Sequence, residues 1–167
     1  EFLSTYTRYD NTSVLGNALA YRVNYKFNSD GPNVFVREYK SETLNSEYMV
    51  YIPDEALDGR WGDEGAPVVY LFGGGSQPSH LFFDITGWAD VAQKHGLVIV
   101  TPCGRVQPGD NKNQDGSIRL NGDAGVVARW YQSAPQEEYQ MLLSVMDSVE
   151  EEFADVINTN KVFGTGQ

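Results

Sequence analysis

The chain has 167 residues, with 12 basic against 23 acidic side chains and a net charge of -11. A surface this acidic repels phosphate backbones and argues against nucleic-acid binding; its ordinary consequence is solubility. With 41% hydrophobic residues, three Trp, ten Tyr and eight Phe, the length suits one packed domain rather than a disordered segment, and no apolar run approaches the roughly 20 residues needed to span a bilayer.

The first third reads as strands. Apolar residues alternate in Tyr21-Arg22-Val23-Asn24-Tyr25-Lys26-Phe27, the period of a half-buried strand. Asn28 to Asn33 is a turn cluster, and Val34 to Tyr39 can return as a second strand. We therefore expect a hairpin extension over residues 1–45 and a sheet core over 46–167. Tyr48 to Ile52 is a third strand, stopped by Pro53, and Asp54 to Ala66 a polar loop.

The pattern then changes. Pro67-Val68-Val69-Tyr70-Leu71-Phe72 is a continuous apolar run ending in Gly73-Gly74-Gly75. Runs that do not alternate suit strands covered on both faces, as in parallel sheets. A helix is predicted from Trp88 to His95, with Thr86 as its N-cap and Gly96 as its C-terminal stop. Leu97 to Thr101 is the next buried strand, closed by Pro102. Strand, helix, strand makes a βαβ unit.

Gly104 to Asp123 is polar and shows no period, as in loops that carry function. A longer helix follows, with Ser133 and Gln136 placed as in a capping box. Leu142, Val145, Met146, Val149, Phe153, Val156 and Ile157 form its apolar stripe. Glu150-Glu151-Glu152 reads as a solvated face. Asn158-Thr159-Asn160 leads into a last strand, Lys161 to Thr165, followed by Gly166-Gln167.

Two glycine features thus end two predicted parallel strands. Ligands in open α/β sheets bind at the carboxyl ends of the strands, so both features point to one edge. The chemistry that suits them is acyl transfer. A tetrahedral intermediate carries an oxyanion and needs preorganised backbone N–H donors, and glycines let the backbone approach it. Gly74 and Gly75 are the candidate donors. Gly166-Gln167 reads as the start of G-x-S-x-G, the nucleophile elbow, with the serine expected immediately after Gln167. A phosphate loop fits less well, because no Gly-Lys-Ser/Thr follows the glycines and Ser76-Gln77-Pro78-Ser79 supplies no basic residue.

The order of these segments resembles the extracellular α/β-hydrolase esterases, the polyhydroxyalkanoate-depolymerase-like and feruloyl or acetylxylan esterase-like enzymes. The resemblance rests on Glu47 to Pro53, Val68 to Gly75, Thr86 to Ala92, Gly96 to Pro102 and Val162 to Gln167. It implies an α/β fold: the N-terminal half of an α/β-hydrolase, with a mostly parallel central sheet and antiparallel N-terminal strands. It implies a secreted serine carboxylic-ester hydrolase with no cofactor and no metal. Gly74 would supply the first oxyanion N–H. The serine, the Asp or Glu and the His would come from a following segment or a second chain that completes the fold, so no catalytic residue is expected within residues 1–167. One departure stands out: the family's loop-orienting histidine before the glycines is Phe72 here. A peptidase of the same fold and a noncatalytic carbohydrate-binding module are the alternatives.

The remaining candidates carry less. Ser76, Trp130 and Tyr131 are candidate substrate-facing residues. His95 ends a helix, where a cation is favoured, and reads as structural. A base at His80 would break the expected triad order. Asp84, Asp90 and Asp123 read as surface or capping carboxylates. Cys103, the single cysteine, reads either as a small buried thiol or as half of a disulfide to residues beyond 167. No His, Asp and Glu cluster shows metal-ligand spacing.

Overall fold

A computed structural model describes residues 34–42, 44–74, 83, 86–106, 128–130 and 135–166. The strand read at Tyr21 to Phe27, its turn and the Ser133 cap lie outside the described residues. In chain order the elements are β1 (Val34–Lys40), β2 (Asn45–Tyr51), β3 (Ala66–Phe72), α1 (Trp88–His95), β4 (Val98–Pro102), β5 (Arg105–Val106), β6 (Ala128–Arg129), α2 (Pro135–Glu152) and β7 (Ile157–Gly166). Two short 3-10 turns, Asp54–Ala56 and Gly62–Glu64, bridge β2 to β3.

Five strands form one sheet in the order β1-β2-β4-β3-β7. β1 pairs antiparallel with β2, and β2 antiparallel with β4. β3 lies parallel to β4 on one side and to β7 on the other. Among the described residues Val34–Lys40 is therefore an edge strand of the main sheet, hydrogen-bonded to β2 along its full length.

The unbroken apolar runs of β3 and β4 have a direct cause: both faces of the sheet are covered. Val68, Tyr70, Val98 and Val100 pack on one face with Met141, Val145 and Val149 of α2. Val69, Leu71 and Ile99 pack on the other with Ala92, Trp88 and Ala89 of α1. Phe153 closes the first cluster against Phe35, ring centroids 5.0 Å apart, a contact worth about 0.5–1.5 kcal/mol beyond its area. Cys103 is a buried thiol. The Ser46 hydroxyl donates to the Cys103 carbonyl at 2.7 Å and the Gly104 carbonyl at 3.2 Å, fixing the chain where it leaves β4.

Several local expectations are corrected. Gly87, not Thr86, occupies the N-cap of α1, without a side-chain bond; the Thr86 hydroxyl instead donates back to the Phe83 carbonyl at 3.4 Å. Gly96 does close α1, its N–H returning to the Ala92 carbonyl. Part of the featureless loop is ordered, because Arg105 and Val106 pair with Arg129 and Ala128; two-residue strands are too short to show a period. α2 stops at Glu152, before Val156 and Ile157 of the predicted stripe. A turn intervenes, in which Val156 N–H donates to the Phe153 carbonyl at 2.9 Å. β7 then starts at Ile157, four residues early, because Ala66 N–H captures the Val156 carbonyl at 2.7 Å. Glu152 is more than solvated surface, since its carboxylate accepts from the Arg37 guanidinium of β1.

Gly65 precedes β3 at φ 76, ψ 165, a region open essentially to glycine alone. A Cβ there would lie 2.6 Å from the Ile157 carbonyl carbon. We expect Gly65→Ala to lower stability by about 3 kcal/mol, the strain of order 1–3 kcal/mol plus a backbone displacement, read as a shift of the urea midpoint. A shift within error would show that β3 and β7 separate there freely.

Burial also pushes the phenols of Tyr48, Tyr51 and Tyr70 above their ordinary value, helped by the Glu152, Glu55 and Glu150 carboxylates respectively. The fold thus prefers neutral phenols, while an unfolded Tyr ionises near about pH 10. Their contribution is complete below that pH and is lost as pH rises toward the folded values. Urea midpoints should be flat from neutrality to about pH 9 and fall above about pH 10, less steeply in Tyr70→Phe. An unchanged midpoint at about pH 11 would contradict this.

Candidate active site

The parallel pairing of β3 with β7 brings two carboxyl-terminal ends together. The register runs from Val68↔Val162 through Tyr70↔Gly164 to Phe72↔Gly166. Gly73 and Gly74 continue directly from β3, buried and half-buried respectively. The strand leading to the oxyanion candidates and the strand leading to the elbow candidate therefore end side by side.

The contact at that edge explains why β7 ends as it does. Phe72 is half-buried and lies over the glycines of β7. A Cβ on Gly166 would sit 2.6 Å from the Phe72 carbonyl oxygen and 2.9 Å from its Cβ. A Cβ on Gly164 would meet the Phe72 ring at 3.4 Å. Only a bare backbone lets β7 run this close beneath a phenylalanine. The departure noted at Phe72 therefore has a consequence: an apolar ring fills the position, and the strand beneath it is stripped to glycine.

Trp130 completes the cluster from a different segment. β5 leaves the end of β4, and its pairing with β6 carries Trp130 over the carboxyl end of β3. The indole Nε1–H donates to the Gly73 carbonyl at 2.9 Å. Its ring meets Phe72 edge-on, centroids 5.9 Å apart at 65°. Trp130 was expected from the sequence as a substrate-facing residue, and in the structure its indole is bonded to the Gly73 carbonyl. The bond to Gly73 joins residues 57 positions apart, which no local pattern signals.

Gly74, Gly166 and Trp130 are thus gathered at one sheet edge. Gly75, Ser76, Tyr131 and Gln167 lie outside the described residues, as do His80, Asp84 and Asp123. His95 is exposed at the end of α1, just before β4 begins. It therefore sits at the amino end of a strand parallel to β3, the opposite edge from the site. Asp90 is exposed on α1. Among the described residues, no three His, Cys, Asp or Glu gather as a metal site, and no helix is long and apolar enough to cross a membrane. The described cluster sets the Gly73–Gly74 peptide at the end of β3 beside two aromatic rings, with the Gly73 carbonyl bonded to the Trp130 indole.

No protein-family model matches the chain. It is 27% identical over 127 residues to the S-formylglutathione hydrolase of Mus musculus, an alignment covering 75% of this chain and 42% of that protein. Among solved structures, a fluorophosphonate-binding serine hydrolase of Staphylococcus aureus aligns with a TM-score of 0.49 at 18% identity, over 81% of this chain and 48% of that one. An S-formylglutathione hydrolase of Agrobacterium tumefaciens aligns with a TM-score of 0.45 at 21% identity, over 78% and 48%. The chain spans less than half the length of each of these relatives. In sequence the chain is similar to the Mus musculus S-formylglutathione hydrolase, and its own sheet is mixed, with antiparallel leading strands beside a parallel pair on either side of β3.

Proposed function

We propose that the protein is a serine hydrolase of short-acyl esters or thioesters, to which residues 1–167 contribute the oxyanion loop and the approach to the nucleophile. The observation that carries this reading is the pairing of Phe72 with Gly166. It sets Gly73-Gly74 beside Gly166 at the carboxyl edge of the sheet. Similarity to an S-formylglutathione hydrolase supports the same chemistry.

In this reading a serine follows Gln167. Its hydroxyl attacks the substrate carbonyl and gives its proton to a histidine on the segment beyond. The carbonyl oxygen, now an oxyanion, accepts from the amides of Gly74 and Gly75 and from the residue after the serine. Collapse expels the alcohol or thiol with the proton held by histidine, leaving an acyl-serine. Water then repeats the steps and releases the acid. Ser76 and Tyr131, outside the described residues, keep in this reading the substrate-facing role proposed for them from the sequence. The same following segment supplies the Asp or Glu that orients the histidine, and it covers the outer edge of β7.

Incubating the full-length protein with a fluorophosphonate probe tests this. We expect stoichiometric labelling at the residue after Gln167, together with hydrolysis of p-nitrophenyl acetate and S-formylglutathione. Absence of labelling on folded protein would exclude the serine mechanism and leave a binding module. Within the described site, Gly166→Ala should push β7 from Phe72 and lower kcat/KM by roughly a hundredfold or more, the scale of a misplaced reacting group. Unaltered kinetics would mean that the elbow lies elsewhere.

A further inference from the structure

The Gly73–Gly74 peptide is held from outside its own loop. A peptide unit is planar and trans, so its C=O and N–H point in opposite directions. Fixing the Gly73 carbonyl therefore fixes the direction of the Gly74 N–H. A peptide flanked by glycines on both sides resists rotation less than any other, so the direction must be imposed by a partner. The Trp130 indole donates to the Gly73 carbonyl at 2.9 Å. The indole is itself held by its edge-on contact with Phe72 at 5.9 Å, and Phe72 is seated over Gly164 and Gly166. One connected set of contacts thus runs from the approach to the elbow, through two aromatic rings, to the amide at the end of β3.

We propose that Trp130 is a positioning residue for the oxyanion site, its indole N–H holding the Gly73–Gly74 peptide so that the Gly74 amide faces the developing charge. The proposal rests on the reading of the glycine loop as an oxyanion site. Its role differs from that of a pocket wall. A wall contacts substrate before and during reaction alike and would act on KM. An orienting bond to the oxyanion peptide acts when the oxyanion forms and shows in kcat. The indole bond also polarises the peptide it accepts from, since hydrogen bonds in series strengthen one another.

The test uses full-length enzyme in three forms: wild type, Trp130→Phe, and protein with β-(3-benzothienyl)alanine at position 130, which keeps the indole shape and lacks its N–H. We expect kcat for p-nitrophenyl acetate to fall about thirtyfold in both variants, part of the roughly 10²–10³-fold cost of losing an oxyanion donor outright. KM should stay within about twofold, and inhibition by phenylboronic acid, which forms a tetrahedral adduct, should weaken in proportion to kcat. The benzothienyl protein should melt at the wild-type temperature. A benzothienyl enzyme with wild-type kcat, or one in which KM alone rises, overturns the proposal while leaving the esterase reading intact. A wild type that neither hydrolyses the ester nor takes up fluorophosphonate overturns both.

Discussion

The site depends on the parallel pairing of β3 and β7. Each strand alone is an apolar run ending in glycine. Paired in the observed register, they put two glycine segments side by side and set Phe72 directly opposite Gly166. A slip by one residue would move every side chain of β7 to the other face and place Thr165 where Gly166 now admits Phe72. The close approach at Gly166, 2.6 Å from the Phe72 carbonyl oxygen to an imagined Cβ, acts as a steric key for this register. Gly65 and the Ala66–Val156 hydrogen bond fasten the opposite ends of the same strands.

The surrounding layers hold that pair rigid. α1 and α2 take opposite faces, and each buries a row of β3 residues. β1 and β2 widen the sheet away from the site, and Arg37 ties β1 to Glu152 near the end of α2. That ion pair is largely exposed and contributes little by itself. The stability of this corner comes from Phe35 and Phe153 beneath it. The candidate site thus occupies one edge of the sheet, and the rest of the described structure positions that edge.

Much of this was legible in the sequence, for physical reasons. β3 and β4 were readable because burial on both faces demands unbroken apolar runs. The end of α1 was readable because Gly96 stops it with a backbone conformation that other residues avoid. The two glycine features could be assigned to one edge because parallel strands align their carboxyl ends. What escaped was non-local. β7 begins early because of a hydrogen bond from Ala66, a residue far away in sequence. The strand at Arg105 exists only because Arg129 answers it. The Trp130 bond to Gly73 required both β5 and β6 to be in place first. Phe72 illustrates the point best: a lost histidine by resemblance, a filled position with glycines beneath it in three dimensions.

The register of β3 with β7 also bears on how the molecule acquires its shape. Phe72 and Gly166 are 166 − 72 = 94 positions apart, whereas the β1–β2 hairpin closes between Lys40 and Asn45. Local pairings form early, and pairings across long loops wait until the entropy of closing them is offset by other contacts. The hairpin and the helices should therefore be in place before β7 docks. During synthesis β3 emerges long before its partner and keeps one edge unpaired meanwhile. An unpaired edge of Val-Val-Tyr-Leu-Phe is a template for association with other chains. The steric key at Gly166 thus has a second meaning. The residue that lets the site form leaves the ribosome long after β3 does, and chaperone demand should track the interval before it arrives.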